Sequence, residues 1–327
     1  MFKRMALLGL LVILVGSINI QAFAAERENW PKAVTQGSGP VGGTFFSLCG
    51  GWVKVMEKLG VQVTCRVTGA AVANTKLMQS GSIDFAIGAL SALYEGYKGE
   101  GWAKGKKHDR IRGMFVVYPH YAQLQSLPKS GIMKTADLAG KRVHLGATGG
   151  MNYVLGLRYL ERAGIKPSKV VTGNWADANN LFRDGLVDAV FNYASAPHPA
   201  VNEAVTTFGA QLIDLDKSAV AKMVKDFPYL NQQNIPAKVY GEKPEKPIHS
   251  FGDWVAYFTH KDMPEDFVYQ VVKATFENKD SMVAAASAAK KLQPENISYL
   301  SIPIHKGALR FYKEKGIEIP KIAMPID

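Results

Sequence analysis

Hydrophobic and polar residues follow two different periods along the chain. Short runs such as 61–67 alternate every second residue, which is typical of strands, whereas 44–58 carries its apolar side chains on one face of a helix. The predicted strands are 32–37, 61–67, 83–89, 111–119, 121–127, 142–145, 169–173, 187–194, 210–215 and 249–260. The predicted helices are 44–58, 70–79, 92–97, 151–163, 175–183, 197–208, 264–278, 281–290 and 306–315. The segment 228–247 contains four prolines and is predicted to be rich in loops.

This order of elements predicts an α/β fold. Strands that alternate with helices of this length are typical of parallel sheets in doubly wound domains. We expect two such lobes, because the extended segments 111–127 and 249–260 are each long enough to cross from one lobe to the other. The first lobe would comprise 25–118 and 251–327, and the second lobe 119–250. A ligand would bind in the cleft between the lobes, at the carboxyl ends of the strands.

The first residues have the features of an export signal. Lys3 and Arg4 precede the apolar stretch 5–16, and the small residues of 22–24 follow as a cleavage site. The apolar core of about 12 residues is shorter than the ~20 that span a bilayer, so a cleaved signal peptide is favoured over a membrane anchor. Residues 1–24 therefore predict a protein that works outside the inner membrane.

The chain is basic, with a formal net charge of +11. Its densest cluster of cations is 98–112, which is most simply a solvated loop and alternatively a docking face for an acidic membrane partner or a source of preference for anionic ligands. The predicted export and the absence of a nucleic-acid-binding motif argue against a nucleic-acid partner.

The two cysteines, Cys49 and Cys65, leave two possibilities open. Cys49 is predicted in the first turns of a helix and Cys65 at the end of the next strand, on the same side of a sheet. An oxidising compartment permits a disulfide between them, and two buried free thiols are the alternative. Neither cysteine has an evident histidine partner that would make it a nucleophile.

Two glycine-rich loops, 37–46 and 146–154, each connect a predicted strand to a predicted helix. Both place backbone amides at a helix N-terminus, which attracts carboxylates or phosphates. The first loop matches G-x-G-x-x-G, but the second strand ends at 65–68 without the acidic residue of a dinucleotide site. We therefore favour an anion-binding loop, with a purely structural turn as the alternative, and expect no cofactor.

No catalytic or metal-binding pattern is evident. The S-x-x-K sequence at 126–129 falls in a predicted loop, and the seven histidines lack metal-ligand spacing. His120 lies where the chain crosses between lobes, so it is either a ligand contact or an ordinary hinge residue. Tyr193 follows a strand at the expected cleft mouth and is a candidate contact. Tyr118 and Trp175 also lie at element ends, where core packing is the simpler explanation.

Several blocks of sequence resemble one family. They are GSGPVGGTFFSLCGGW at 37–52, then 69–101, 116–150, 182–201, 260–282 and 301–317. In this order and spacing they are similar to the TAXI-type solute-binding subunits of TRAP transporters. The resemblance covers about 32–317, nearly all of the chain after the predicted signal.

The resemblance implies a two-lobed fold of the type II periplasmic-binding-protein kind. Such a protein would capture a small organic acid, oxo acid or amino acid in the periplasm and deliver it to membrane subunits driven by an ion gradient, commonly sodium. It implies no catalysis, and we expect a monomer. A binding protein for an ABC importer or a sensor kinase is the alternative, followed by a periplasmic enzyme on the same fold.

The resemblance also implies ligand-facing positions in this chain. Together with the candidates above, the expected contacts are Gly37, Ser38, Gly42, Gly43, Thr44, Phe45, Ala89, Leu90, Ser91, Tyr118, His120, Thr148, Gly149, Gly150, Met151, Asn152, Trp175 and Tyr193. Thr44, Ser91, Thr148 and Asn152 would supply polar contacts. Many family members carry two tyrosines where this chain has Phe45 and Phe46, which favours a less polar or differently substituted acid than glutamate.

Overall fold

The computed structural model of the protein describes residues 29–41, 43–148 and 150–325. The predicted signal peptide, 1–24, lies outside these residues. Among the helices of the described ranges, none is both long enough and apolar enough to cross a bilayer.

The elements follow the predicted alternation. The strands are β1 Ala33–Gly37, β2 Gln62–Arg66, β3 Phe85–Ala89, β4 Ile111–Pro119, β5 Tyr121–Ser126, β6 Arg142–His144, β7 Lys169–Val171, β8 Ala189–Ala194, β9 Gln211–Ile213, β10 Asn231–Ile235, β11 Ile248–Gly252 and β12 Trp254–His260. The helices are α1 Thr44–Glu57, α2 Ala71–Gln79, α3 Leu90–Lys98, α4 Met151–Arg162, α5 Trp175–Arg183, α6 Pro199–Phe208, α7 Lys217–Asp226, α8 Glu265–Glu277, α9 Lys279–Ala285 and α10 Lys306–Glu314.

Ten of these twelve strands form two five-stranded sheets, one in each lobe, and β10 and β11 form a separate two-stranded sheet. The first has the order β2-β1-β3-β12-β4, and the second has the order β7-β6-β8-β5-β9. In each sheet the first three strands are parallel, whereas the crossing strands β12, β4 and β5 pair antiparallel to their neighbours. The sheets are therefore mixed, and the expectation of parallel sheets is too simple. A strand that arrives directly from the other lobe makes no helical crossover, so it need not run parallel to its neighbours.

Two single residues separate the strands that cross between the lobes. His120 lies between β4 and β5, and Asp253 lies between β11 and β12. The His120 N–H donates to the Asp253 carbonyl at 2.8 Å. A Cβ at Gly252 would lie 1.8 Å from the His120 carbonyl oxygen, so only glycine allows the two crossings to touch. The predicted single strand 249–260 is thus two strands, which meet at a buried aspartate.

Two elements were not predicted. Helix α7 is capped by Asp216, whose Oδ1 accepts from the Ala219 N–H at 2.8 Å, and the helix buries Val220 and Met223. Strand β10 lies within the segment expected to be loops and pairs antiparallel with β11. Its sequence NQQNI has a single apolar residue, Ile235, so the period-2 signal of a half-buried strand is absent.

Aromatic side chains fill the centre of each lobe. In the first lobe, Trp52 of α1 is fully buried, with its ring 5.0 Å from Phe85 and 5.5 Å from Tyr257. A disulfide between Cys49 and Cys65 joins α1 to β2, with Cα atoms 6.0 Å apart. The edge of the first sheet is thereby tied to the helix that follows the first glycine-rich loop.

Candidate functional site

A cavity of about 260 Å³ lies between the two sheets. Eleven of the candidate residues line it: Gly43, Thr44, Phe45, Ala89, Tyr118, His120, Gly150, Met151, Asn152, Trp175 and Tyr193. They come from both lobes and from the first crossing. The carboxyl ends of strands in both sheets therefore face a common space, as a doubly wound fold with a cleft requires.

Five further candidate residues lie outside the lining. Gly37 and Ser38 are behind the cavity wall, where the Ser38 hydroxyl donates to the Arg66 carbonyl at 2.8 Å. Leu90 and Ser91 are buried below the lining, and Thr148 is exposed outside it. Gly42 and Gly149 lie outside the described residues. None of the five described here can be assigned a ligand contact from its position.

Close packing explains why a glycine occupies the first position of G-x-G-x-x-G. A Cβ at Gly37 would lie 2.6 Å from the Asn74 Oδ1 atom, because the Asn74 side chain reaches between β1 and β3. Its amide donates to the carbonyls of Gly37, Ser38 and Ile87 at 2.7–3.2 Å. The close approach of this side chain, and not a bound nucleotide, accounts for the absence of a side chain at Gly37.

Six helices begin at residues that line the cavity. The N-cap residues of α1 to α6 are Gly43, Ala70, Ala89, Gly150, Asn174 and His198, and all six are in the lining. Only Asn174 of these six caps its helix through its side chain, accepting from Asp177 N–H at 2.9 Å. Each helix N-terminus carries about half a positive charge and unpaired N–H groups. Their convergence makes the cavity favourable for an anion.

The lining contains no Lys, Arg, Asp or Glu among the described residues. Two lining side chains, His120 and His198, could become positively charged by protonation, but both are neutral near pH 7. Burial lowers the pKa of His120 to about 3 and that of His198 to about 4. An anion in this cavity would therefore meet backbone dipoles and neutral imidazoles and no formal positive charge.

Asp253 lies directly behind the lining and is completely buried. Its Oδ2 accepts from the Ser91 N–H at 2.6 Å, and its Oδ1 lies 3.8 Å from the Nδ1 of His120. Burial raises the pKa of Asp253 to about 6, while the bond from Ser91 and the nearby Tyr193 hydroxyl act in the opposite direction. The carboxyl group is thus ionised at neutral pH at the cost of desolvation.

The side chain of Asn152 is hydrogen-bonded to backbone groups at the cavity wall. Its amide group donates to the carbonyls of Leu145 at 2.7 Å and Phe191 at 2.9 Å, and its Oδ1 accepts from the Tyr193 N–H. An amide has two N–H donors, and both are used. Asn152 can therefore hold the second glycine-rich loop against β8, but it has no N–H left to donate to a ligand.

Polar contacts join the two lobes on either side of the cavity. The Thr44 and Ser195 hydroxyls are 3.3 Å apart across the cleft. Farther along, the buried Glu95 of α3 accepts from the guanidinium of Arg158 on α4 and from the Tyr229 hydroxyl at 2.6 Å. The two lobes are therefore in direct contact on either side of the cavity.

Sequence reasoning missed several parts of the site. Ala70, Ala71 and Val72 at the start of α2, together with Ser195 and His198, line the cavity but were not singled out. The start of α2 could have been found, because it follows a predicted strand, as the starts of α1 and α4 do. Asp253 had no local signal, since it lies inside a run that resembles one continuous strand.

The described residues contain no cluster of three or more His, Cys, Asp or Glu side chains arranged to bind a metal ion. Packing against Asn74 accounts for the first glycine of the G-x-G-x-x-G match, Gly37.

Two mixed α/β lobes, two crossing segments and a cavity at the helix N-termini define the fold of the type II periplasmic solute-binding proteins. The chain belongs to the NMT1-like family, whose model matches residues 36–316.

Solved structures with the same fold include MatC from Rhodopseudomonas palustris with bound malate. It has a TM-score of 0.54 and 14% identity, over 81% of this chain and 91% of that chain. An ancestral arginine-binding protein bound to arginine matches with a TM-score of 0.51 and 15% identity, over 79% of this chain and 98% of that chain. At these identities the likeness is one of fold.

Proposed function

We propose that this protein is an exported solute-binding protein of the TAXI type, which captures a small carboxylate in the periplasm and delivers it to the membrane subunits of a TRAP transporter. The observation that carries the proposal is the convergence of six helix N-termini on one cavity whose described lining has no acidic side chain. The sequence resemblance over about 32–317 and the predicted signal peptide support the choice of transporter and compartment.

The electrostatics favour a carboxylate over a cation or a neutral sugar. The Ser91 N–H of α3 already donates to Asp253, but N–H groups at the other helix starts can donate to carboxylate oxygens, as at other helix N-termini that bind anions. With no lysine or arginine in the lining, a single negative charge is better matched than the multiple charges of a nucleotide. The MatC structure with malate and the arginine complex illustrate that this fold accommodates small acids and amino acids.

The size and walls of the cavity narrow the ligand further. A volume of about 260 Å³ suits a molecule of a few carbon atoms. Phe45, Met151 and Trp175 present apolar or aromatic surface, whereas Thr44, Ser195 and the two histidines offer polar contacts. We infer a compact acid with an apolar part, bound and released without chemical change.

Ligand-dependent thermal stability tests the proposal. The purified mature protein is scanned with dicarboxylates, oxo acids, hydroxy acids and amino acids, and at least one acid is expected to raise the melting temperature. A ligand at ~100 times its Kd adds about 2.7 kcal/mol to the free energy of unfolding. If no acid raises the melting temperature, or if the bound acid is turned over, the proposal is wrong.

A pair of variants links binding to the cavity. Val72 lines the cavity, so Val72→Trp should fill it and abolish the thermal shift. Val67 is 52% exposed and outside the cavity, so Val67→Trp adds the same side chain without blocking the site and should bind as the wild type does.

Reconstitution tests the transporter. Uptake into vesicles that contain TRAP membrane subunits should require this protein, the ligand and an ion gradient. Uptake that requires ATP, or that proceeds without an ion gradient, would instead favour an ABC importer.

A further inference from the structure

His120 is held in one orientation at the cavity wall. Its ring is stacked on Phe45 with centroids 5.8 Å apart, and the edges of Tyr118 and Tyr193 approach it at 5.5 Å. The rings leave the His120 side chain 10% exposed, although His120 lines the cavity. With the ring plane set by its neighbours, the remaining variable is which ring nitrogen carries the hydrogen.

The two ring nitrogens of His120 have different surroundings. Nδ1 is buried, has no hydrogen-bond partner among the described residues, and lies 3.8 Å from the equally buried Oδ1 of Asp253. Because His120 lines the cavity and only its Nδ1 is a buried atom without a partner, we infer that Nε2 faces the cavity. A neutral imidazole has one N–H and one lone pair, so the atom opposite Nδ1 decides what Nε2 presents to a ligand.

The carboxylate of Asp253 is oriented independently of His120. Its Oδ2 accepts from the Ser91 N–H at 2.6 Å, which turns Oδ1 toward His120. A carboxylate oxygen is an acceptor only, so it favours the tautomer with hydrogen on Nδ1. The lone pair then lies on Nε2, directed at the cavity contents.

We propose that Asp253 acts through His120 as a specificity-determining pair, which makes the site select carboxylic acids with a hydroxyl or amino donor next to the carboxylate over the matching 2-oxo acids. This inference rests on the proposed function as a carboxylate-binding protein. The helix N-termini supply donors for the carboxylate, and Nε2 of His120 supplies an acceptor for the hydroxyl or amino hydrogen next to it. A 2-oxo group has no hydrogen to donate and would place its oxygen against the Nε2 lone pair.

The test compares matched pairs of acids by calorimetry: lactate with pyruvate, malate with oxaloacetate, and glutamate with 2-oxoglutarate. Within a pair that binds, the acid with the hydroxyl or amino donor should bind at least about tenfold more tightly. Binding of the oxo acid would leave the Nε2 acceptor of His120 buried without a partner. Equal affinity, or preference for the oxo acid, overturns the inference while leaving the proposed function intact. If no acid of any kind binds, the proposed function fails as well.

Asp253→Asn gives a directional prediction. The Ser91 N–H still requires an acceptor, so the amide oxygen of the new side chain should face Ser91 and its NH₂ should face His120. Nδ1 must then accept, and the hydrogen moves to Nε2. The preference within each pair of acids should therefore fall or invert toward the oxo acid.

Asp262→Asn is the matched control, because Asp262 is an exposed partner of Arg110 far from the lining. It should leave the ratio of affinities unchanged. An unchanged ratio in Asp253→Asn as well would overturn the role of Asp253.

The tautomer can also be measured without a ligand and without the Asp253 variant. Nitrogen-15 NMR distinguishes a protonated ring nitrogen from an unprotonated one, and the signal of His120 is assigned by its loss in His120→Gln. The expected result in the wild-type protein is hydrogen on Nδ1 and none on Nε2. Hydrogen on Nε2 at neutral pH overturns the inference even if Asp253→Asn fails to fold.

Discussion

Buried neutral histidines make the protein sensitive to acid. Burial lowers the pKa of His120 to about 3 and the pKa values of His198 and His305 to about 4. In the unfolded chain each would titrate near ~6.5, so below that pH the unfolded state binds more protons than the folded state. Stability from these three groups is complete above ~pH 6.5 and is lost as the pH falls toward their folded pKa values.

The size of the loss follows from the distance between the two pKa values. A pH of ~5 is about 1.5 units below the pKa of each histidine in the unfolded chain, whereas each histidine is still neutral in the folded protein. The free energy of unfolding therefore falls by about 2 kcal/mol per group. Three such groups give a loss of about 6 kcal/mol relative to ~pH 7.5.

Asp253 acts in the opposite direction. Its pKa is raised from 3.8 to about 6, so the folded state takes up a proton between these values and gains stability as the pH falls. At ~pH 5 this returns about 1 kcal/mol, which leaves a net loss of about 5 kcal/mol. That is a large part of the ~5–15 kcal/mol that stabilises a typical domain.

Urea denaturation of the oxidised protein at a series of pH values measures this loss. The free energy of unfolding should fall by about 5 kcal/mol between ~pH 7.5 and ~pH 5. His198→Gln should reduce the loss by about 2 kcal/mol, and Asp253→Asn should increase it by about 1 kcal/mol. A wild-type curve that is flat to within ~1 kcal/mol, or variants with the slope of the wild type, would refute the linkage argument.

Three further perturbations have magnitudes set by the structure. Replacing Cys49 and Cys65 by alanine opens a loop with a sequence separation of 16 and should lower the free energy of unfolding by about 3 kcal/mol, measured against the oxidised wild type; no loss would contradict the loop-entropy estimate. Asn152→Ala removes three hydrogen bonds to backbone groups and should cost about 3 kcal/mol with a matching drop in melting temperature, whereas a loss of ligand affinity without any loss of stability would contradict its structural role. Arg158→Met leaves the carboxylate of Glu95 buried without its cation and should lower the free energy of unfolding by about 3–5 kcal/mol. In a double-mutant cycle, adding Glu95→Gln should recover part of that loss, and no recovery would argue against the buried pair.

Local pattern predicted most of the helices and strands because their causes are local. The face of α1 that buries Trp52 and the alternation in β2 depend on neighbours two to four residues away. The pattern did not predict β10, because its sequence has almost no apolar residues to alternate with polar ones. It also did not predict the break at Asp253, because that break depends on where the chain crosses between the lobes. The direction of β12 in its sheet could not be predicted, since it depends on which lobe the chain has just left.

The candidate site was predicted in outline through its two glycine-rich loops. Gly43 to Phe45 and Gly150 to Asn152 lie in the cavity lining because each follows the end of a parallel strand. The polar contact to ligand expected of Asn152 competes with the use of both its N–H groups by the carbonyls of Leu145 and Phe191. Sequence indicates that such an amide is near the site, but only the packed strands decide what it bonds to.

The sequence by itself determined the alternation of strands and helices, the positions of the glycine-rich turns and the strongly basic composition. Tertiary structure alone decided that Cys49 meets Cys65, that six helix N-termini share one cavity, and that Asp253 stands behind His120. The reason is distance along the chain. Asp253 accepts a hydrogen bond from the N–H of Ser91, 162 residues earlier, and no period of two or four residues can encode a contact that forms only when β12 pairs with β3.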